Sequence, residues 1–536
     1  MNSNQALHEP CVTPVDFATL RFRDVMEEPD RECMAVYEIL KEAVARCAGL
    51  VAPYENVPLL MFPVFMTILT QYRLFVHEQK RGIVRPDLQF ARQSGFPYID
   101  HVDIAHGLNA TEKEIDTVEP VSTLPSLRWR YFALAKILDL VPGRRRVALF
   151  QCEMSGDLVN TMVRNGFRPV TPSVEVLGVR LAAQWPAVEA AVDRICDCFA
   201  MTRDQRALID IFRAHTRRYL VEGKPAPLAA DILVVGTLAH VANRVMAARA
   251  RAANIPVVTV GHGEGSGVVG DPVCGYGERT LATHELGFAA AGMRDRLTMP
   301  DAHSLIAADE PLGAIPSDAQ KIAAIFDPDA EIEPLHMRPG LRTYYVPTGF
   351  NNLHTYGPGR SLPDLVYARW QTHVLEQFPE AILKAYPWQS EAAWAYADID
   401  PARICRSRLE DVIDMADAFI LDYSSTSLML ACATAKPVIF FDLGLRRHSK
   451  LGLETIRDRC VYLSVERVID HTLRRQVLAR AGERKRNRVI PTFSLEGLRE
   501  PRERSLIRGL KQSLGARAPA QGRSSVGILD REQTLS

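Results

Sequence analysis

The stretch that most narrows what this chain can fold into runs from Asp417 to Asp442, DAFILDYSSTSLMLACATAKPVIFFD. Ala418 to Leu421 is a short apolar run closed by Asp422 and Tyr423, the pattern of a strand buried on both faces. Ser424, Ser425, Thr426 and Ser427 follow. Hydroxyls at such a point cap a helix, because they satisfy amide N–H groups that have no partner inside it. The spacing predicts a small apolar helix over Leu428 to Ala435, stopped at Lys436-Pro437, and a second buried strand from Val438 to Phe441. A strand–loop–helix–strand unit of this kind is the building block of a parallel sheet. Helix N-termini favour phosphate, and ligands of open α/β sheets bind at the carboxyl ends of the strands. Ser424, Ser425 and Thr426 occupy both positions at once. The alternative is a capped helix in an ordinary α/β core.

Similar units recur upstream. Asp231 to Val260 reads as strand, Gly236 turn, Ala- and Arg-rich helix and second strand. It ends in Gly261-His262-Gly263-Glu264-Gly265-Ser266-Gly267. Four glycines let the backbone come close to a ligand, and a histidine among them at a strand end is placed for chemistry. Its imidazole can take a proton near neutral pH. Val147 to Phe150 reads as a further strand, with Val174 to Leu220 mostly helical. Thr343 to Val346 is a strand with Pro347-Thr348-Gly349 as its turn, followed by FNNLHTYGPGR, residues 350–360. Ala381 to Lys384 is the next strand. Residues 1–140 are mostly helical, with apolar residues at helical spacing over Arg31 to Leu50 and Leu127 to Leu140.

The segment Ala416, Asp417, Asp422, Tyr423, Ser424, Ser425, Lys436 and Pro437 resembles the signature of the CDP-glycerol glycerophosphotransferase family and related bacterial surface-polysaccharide (capsule) transferases. The resemblance covers about residues 230–460. It implies an α/β, GT-B-like fold: two Rossmann-like domains with parallel sheets facing a cleft, here with a mostly helical N-terminal region added. It also implies that His262, in a matching His-Gly step, is the catalytic base, with Glu264 the second candidate. Donor and phosphate would be held by Asp422, Ser424, Ser425 and Thr426, by Thr348 and Gly349 in the loop after the strand, and by Arg360, whose guanidinium suits phosphate. The family shows K-x-H-P near the donor phosphates where this chain has Lys384, Ala385, Tyr386 and Pro387, so the resemblance adds Lys384 and Tyr386 to the donor and phosphate candidates. Tyr386 carries no positive charge at neutral pH, which favours a sugar donor over CDP-glycerol. Arg279 and His284 are weaker candidates for contact with acceptor or phosphate; either is equally a surface residue.

Composition sets limits on the rest. A chain of 536 residues holds two or three domains. The expected division is a helical region at 1–140, an acceptor-side Rossmann-like domain at 141–320, a nucleotide-donor domain at 321–514 and a disordered tail at 515–536. The 64 basic and 64 acidic residues cancel, which argues against a nucleic-acid partner. Ten cysteines without metal-site spacing suggest a reducing compartment. With no signal-peptide pattern at the N-terminus, the expectation is a cytoplasmic protein. From Leu473 to Arg517 there are 13 Lys/Arg against 4 Glu. That end is either a solvated helix face or a contact with anionic lipid at the inner face of the membrane.

The leading expectation is a nucleotide-dependent GT-B transferase. It would move a sugar or polyol phosphate from a CDP-, CMP- or UDP-linked donor to a hydroxyl of a bacterial surface glycan or its lipid-linked precursor. The scheme calls for neither metal nor cofactor, the activated donor being a substrate. A CDP-glycerol-type polyol-phosphate transferase, a sugar-nucleotide epimerase of the same fold and a non-catalytic scaffold of a polysaccharide assembly complex are the alternatives.

Overall fold

The computed structural model describes residues 15–83, 145–150, 162–286, 303–304, 325–350, 362–385 and 395–486. Short interruptions fall at 171, 173–175, 202–204, 225–227, 261–272, 274–275, 278–279, 326, 328, 337–339 and 484. Strands β1 (Arg145–Phe150), β2 (Phe167–Val170), β3 (Leu177–Val179), β4 (Leu220–Glu222), β5 (Ile232–Val235), β6 (Val257–Val260), β7 (His284–Leu286) and β8 (His303–Ser304) belong to the first half of the chain. Six of them form one sheet in the order β2-β1-β5-β6-β7-β8, with every pair parallel. β3 and β4 pair separately, also in parallel. Strands β9 (Thr343–Val346), β10 (Ala381–Lys384), β11 (Ile404–Cys405), β12 (Ala418–Leu421), β13 (Val438–Asp442) and β14 (Val461–Ser464) make the second sheet. Its order is β11-β10-β9-β12-β13-β14, again all parallel.

This is the expected GT-B-like pair of Rossmann-like sheets with added N-terminal helices. The sequence dictates it through runs such as ILVV at β5 and AFIL at β12, buried at all four positions, as strands covered on both faces must be. β3 was not expected: Val174 to Leu220 reads as helical, yet Leu177-Gly178-Val179 pairs with β4. Gly178 is required there, since a Cβ would lie 2.2 Å from the Lys224 carbonyl oxygen.

The N-terminal helices do not stand apart from the two sheets. Helix α1 (Phe22–Ala48) buries Phe22, Val25, Met26, Pro29, Cys33, Val36, Tyr37, Leu40 and Ala43, a stripe at helical spacing. Its first turns join the core of the second sheet and its later turns join that of the first. Phe22 meets Trp370 edge to face at 5.5 Å, and its backbone N–H donates to Glu466 O at 2.9 Å. Pro29 lies inside the helix between those two sections. Prolines at such positions remove one backbone hydrogen bond and bend the helix.

Helices α2 (Val57–Leu60) and α3 (Phe62–Arg81) continue into the first core, which takes up the apolar stretch from Val57 to Leu69. α1 and α3 are further joined by ions: Arg73 Nη2 reaches Glu32 at 2.6 Å, and His77 Nε2 at 2.8 Å. Glu28, Glu32 and His77 come close enough to surround a cation, but the Glu32 carboxylate is already taken up by Arg73 and His77.

Further described helices are α4 (Leu181–Cys198), α5 (Gln205–Tyr219), α6 (Val241–Ala252), α7 (Asp364–Gln377), α8 (Leu409–Val412), α9 (Thr426–Ala433), α10 (Lys450–Arg459) and α11 (Leu473–Ala479). Arg244 on α6 is fully buried. It donates to Leu59 O from Nε at 3.0 Å and from Nη2 at 2.7 Å, and to Leu238 O and Gly277 O. Those carbonyls tie α2 to the first sheet, and burial brings the guanidinium down to about 10. No described helix is long and apolar enough to cross a membrane.

Candidate functional site

In the second sheet the chain builds outward from β9 through β10 to β11, then crosses to β12 and builds outward the other way. The strand order therefore reverses between β9 and β12. In sheets of this type the crevice beyond the carboxyl ends of those two strands is where ligands bind. Two expected segments emerge there. Pro347, Thr348 and Gly349 leave β9; Asp422, Tyr423 and the hydroxyl run leave β12.

Ser425 is the N-cap of α9. It has extended backbone, and its Oγ accepts from the Ser427 N–H at 3.3 Å. Thr426 is the first helical residue. Ser425, Thr426 and Ser427 are half-buried, while Ser424 is buried. The helix begins two residues earlier than the apolar pattern indicates, because the hydroxyls themselves start it.

Asp422 has a different task from the one expected. It is buried, at 2% exposure. Its Oδ1 accepts from Tyr367 Oη at 2.8 Å, and its Oδ2 accepts from Trp370 Nε1 at 2.9 Å and from Tyr345 Oη. Tyr345 is on β9, whereas Tyr367 and Trp370 are on α7. Tyr367 Oη in turn accepts the Thr348 N–H at 2.9 Å. The carboxylate thus pins β9, β12 and α7 together beneath the switch point and has no face left for a donor. Burial raises its pKa to about 6, with the three donors offsetting part of the effect. Burial and the neighbouring carboxylate push Tyr345 and Tyr367 well above the usual tyrosine range.

Lys384, the last residue of β10, is also buried. Its Nζ donates to Ala385 O at 2.8 Å, and burial lowers its pKa. It is an internal lysine of the sheet and does not present its charge to a phosphate. His284 is displaced for a topological reason. It opens β7 and pairs with Val258, so it lies toward the amino end of a parallel sheet whose ligand edge is the opposite one. Its Nδ1 is 2.8 Å from Thr283 Oγ1, a hydroxyl that also bonds Val257. His262, Glu264, Arg279, Arg360 and Tyr386 lie outside the described residues. Of the sequence motifs spelling D-x-D, Asp400 is a cap, accepting from the Ala402 N–H at 2.9 Å.

The structure also brings together residues that sequence spacing does not connect. The loop from β13 to α10 folds back over β12. His448 Nε2 lies 3.0 Å from Ser424 Oγ, with the imidazole edge-on to Phe440 at 6.1 Å. Arg446 stacks its guanidinium over the Tyr423 ring at 4.7 Å, and its Nε donates to Tyr423 Oη. Arg447 turns the other way, to Asp30 on α1. One guanidinium, from Arg446, and the His448 imidazole are thus set at the start of the hydroxyl run or beside it. The only advance signal was the string Arg446-Arg447-His448 after a strand; nothing in it told which of the three would reach Ser424.

Comparisons with known proteins add little. The chain matches no family model, and no curated protein matches it. Among solved structures it is similar to the crystal structure of Acinetobacter baumannii MurG, at 10% identity and a TM-score of 0.28, over 69% of this chain and 99% of that one. The two sheets, not that likeness, carry the GT-B-like fold.

Proposed function

We propose that the protein is a nucleotide-dependent GT-B transferase that passes a sugar from an activated donor to a hydroxyl of a bacterial surface glycan or its lipid-linked precursor. The observation that carries this reading is the hydroxyl-capped N-terminus of α9 at the switch point between β9 and β12. There the positive end of the α9 dipole and the Ser425 and Thr426 hydroxyls form a seat for the donor's phosphates. The backbone of Thr348 and Gly349, held by Tyr367, forms the neighbouring wall. Arg360 is assigned to the same phosphates and His262 to the acceptor. His262 takes the proton from the acceptor hydroxyl as its oxygen bonds to the sugar's anomeric carbon. The bond from that carbon to the diphosphate oxygen breaks, and the nucleoside diphosphate leaves with the electron pair. The helix dipole and guanidinium offset the leaving group's charge.

A second reading has its own support. The segment from Ala416 to Pro437 resembles the CDP-glycerol family, in which the acceptor oxygen would attack phosphorus and CMP would leave. Tyr386 in place of the family's histidine favours the sugar. The site of action in either case is the cytoplasm, on a substrate presented at the membrane's inner face.

The test is to supply CDP-glycerol and UDP-sugars in parallel with a glycan acceptor and to follow which nucleotide is released. His262→Ala should abolish release while leaving donor binding intact. Turnover at the wild-type rate in that variant refutes the role given to His262.

A further inference from the structure

The switch-point seat needs a source of positive charge that the buried residues nearest it do not provide. Asp422 is consumed by Tyr345, Tyr367 and Trp370, and Lys384 is turned into the sheet. Among the described residues, His448 reaches the hydroxyl run from outside its own strand, with Nε2 at 3.0 Å from Ser424 Oγ. We propose that His448 is a proton-carrying contact for the donor's phosphates, taking up a proton when they seat beside Ser424 and holding it as the nucleotide leaves. This inference rests on the seat proposed above and adds a residue and a charge state to it.

The surroundings suit such a role. His448 is half-buried, so it is neither sealed in the core nor free in solvent. Burial lowers its pKa, with Arg446 acting in the same direction and Asp442 opposing both. The Asp442 carboxylate is itself engaged, accepting from Tyr462 Oη at 2.6 Å and from the Gly444 N–H at 2.9 Å. Of its described contacts, the Ser424 hydroxyl and the Phe440 ring do not titrate, and Arg447 next to it in the chain is paired with Asp30 of α1. In the empty site the imidazole is therefore neutral near pH 7. A diphosphate, with one negative charge on each phosphate, at hydrogen-bond distance reverses the balance, because an opposite charge within a few ångströms favours the protonated form. Nε2–H then donates to a phosphate oxygen, or to Ser424 Oγ while that hydroxyl donates onward. No covalent bond changes; one proton moves from solvent to Nε2 on binding and returns when the nucleotide departs.

Calorimetry reads this directly. CDP-glycerol, UDP-glucose and UDP-N-acetylglucosamine are titrated into the full-length protein at pH 7 in buffers of different ionisation enthalpy. These diester phosphates do not themselves titrate near neutrality, so any proton taken up is the protein's. The wild type should take up a large fraction of a proton with the donor that binds, and affinity should rise about tenfold from pH 8.5 to pH 6.5. His448→Gln, which keeps a polar contact to Ser424 but cannot be charged, should bind about tenfold more weakly at pH 6.5. At pH 8.5 it should match the wild type, with the proton uptake gone. A residue that merely packs would give the same loss at both pH values. Binding by the wild type without proton uptake overturns the role of His448 and leaves the seat standing. Binding of none of the three donors overturns the seat and His448 together.

Discussion

The carboxyl of Asp422 makes a quantitative forecast because its burial and its partners act on one proton. In the fold it keeps that proton up to about pH 6, against an ordinary value of 3.8. Between those values the folded state binds more protons than the unfolded chain, so stability falls as pH rises through the window. A gap of about two pH units, at about 1.4 kcal/mol each, is about 3 kcal/mol. The whole of that loss is present above about pH 6 and absent below about pH 4. Asp422→Asn keeps the shape and two of the acceptor contacts but has no proton to lose. Urea unfolding of both proteins at pH 4 and pH 7, followed by circular dichroism, isolates the effect, since all other titrating groups cancel in the difference. The stability gap between variant and wild type should move by about 3 kcal/mol in favour of Asn over that range. An unchanged gap refutes the reasoning, and would mean that the hydroxyls of Tyr345 and Tyr367 and the Trp370 N–H outweigh burial.

Two further perturbations test the packing that holds the lobes. Phe22→Ala, which empties the edge contact with Trp370, should cost about 3–5 kcal/mol in urea unfolding. An effect under about 1 kcal/mol would show that α1 does not anchor the second core. Burial pushes Glu32 up, but its hydrogen bonds to His77 and Arg73 outweigh it and bring the carboxyl down to about 2 from 4.5. Its contribution is therefore complete above about pH 4.5 and fades as pH falls through about 2. Glu32→Gln, leaving Arg73 buried without its partner, should lower stability by about 3–5 kcal/mol at pH 7, and the deficit should shrink in acid melts.

The two sheets were legible because a strand buried on both faces is written as an uninterrupted apolar run, as at Ile232 to Val235 and Ala418 to Leu421. The α9 cap was legible because its hydroxyls are contiguous with the helix they start. Edge strands were harder: Leu177 to Val179 and Ile404-Cys405 are two or three residues long, too short for a period to show. The role of Asp422 was misjudged for a related reason. A strand-ending aspartate reads alike whether it faces a ligand or the core, and what decided it were Tyr345, Tyr367 and Trp370, contributed from distant points in the chain. The same holds for His448, whose contact with Ser424 spans 24 positions and depends on a loop folding back. Lys384 and His284 needed the direction of the sheet and the depth of the side chain, neither of which local sequence encodes.

The helix that begins at Phe22 leaves the ribosome before either of the bodies it joins. Its apolar stripe is complete once Ala43 is added, yet Trp370 and the Glu466 carbonyl that receive its first turn are still hundreds of peptide bonds away. At ~5–20 residues per second, that wait lasts on the order of 20 seconds to a minute and a half. During it a sticky nascent segment has no partner for its leading end. A clasp made ahead of both lobes it fastens should therefore recruit chaperones to the young chain and recover poorly when the lobes are expressed as separate pieces.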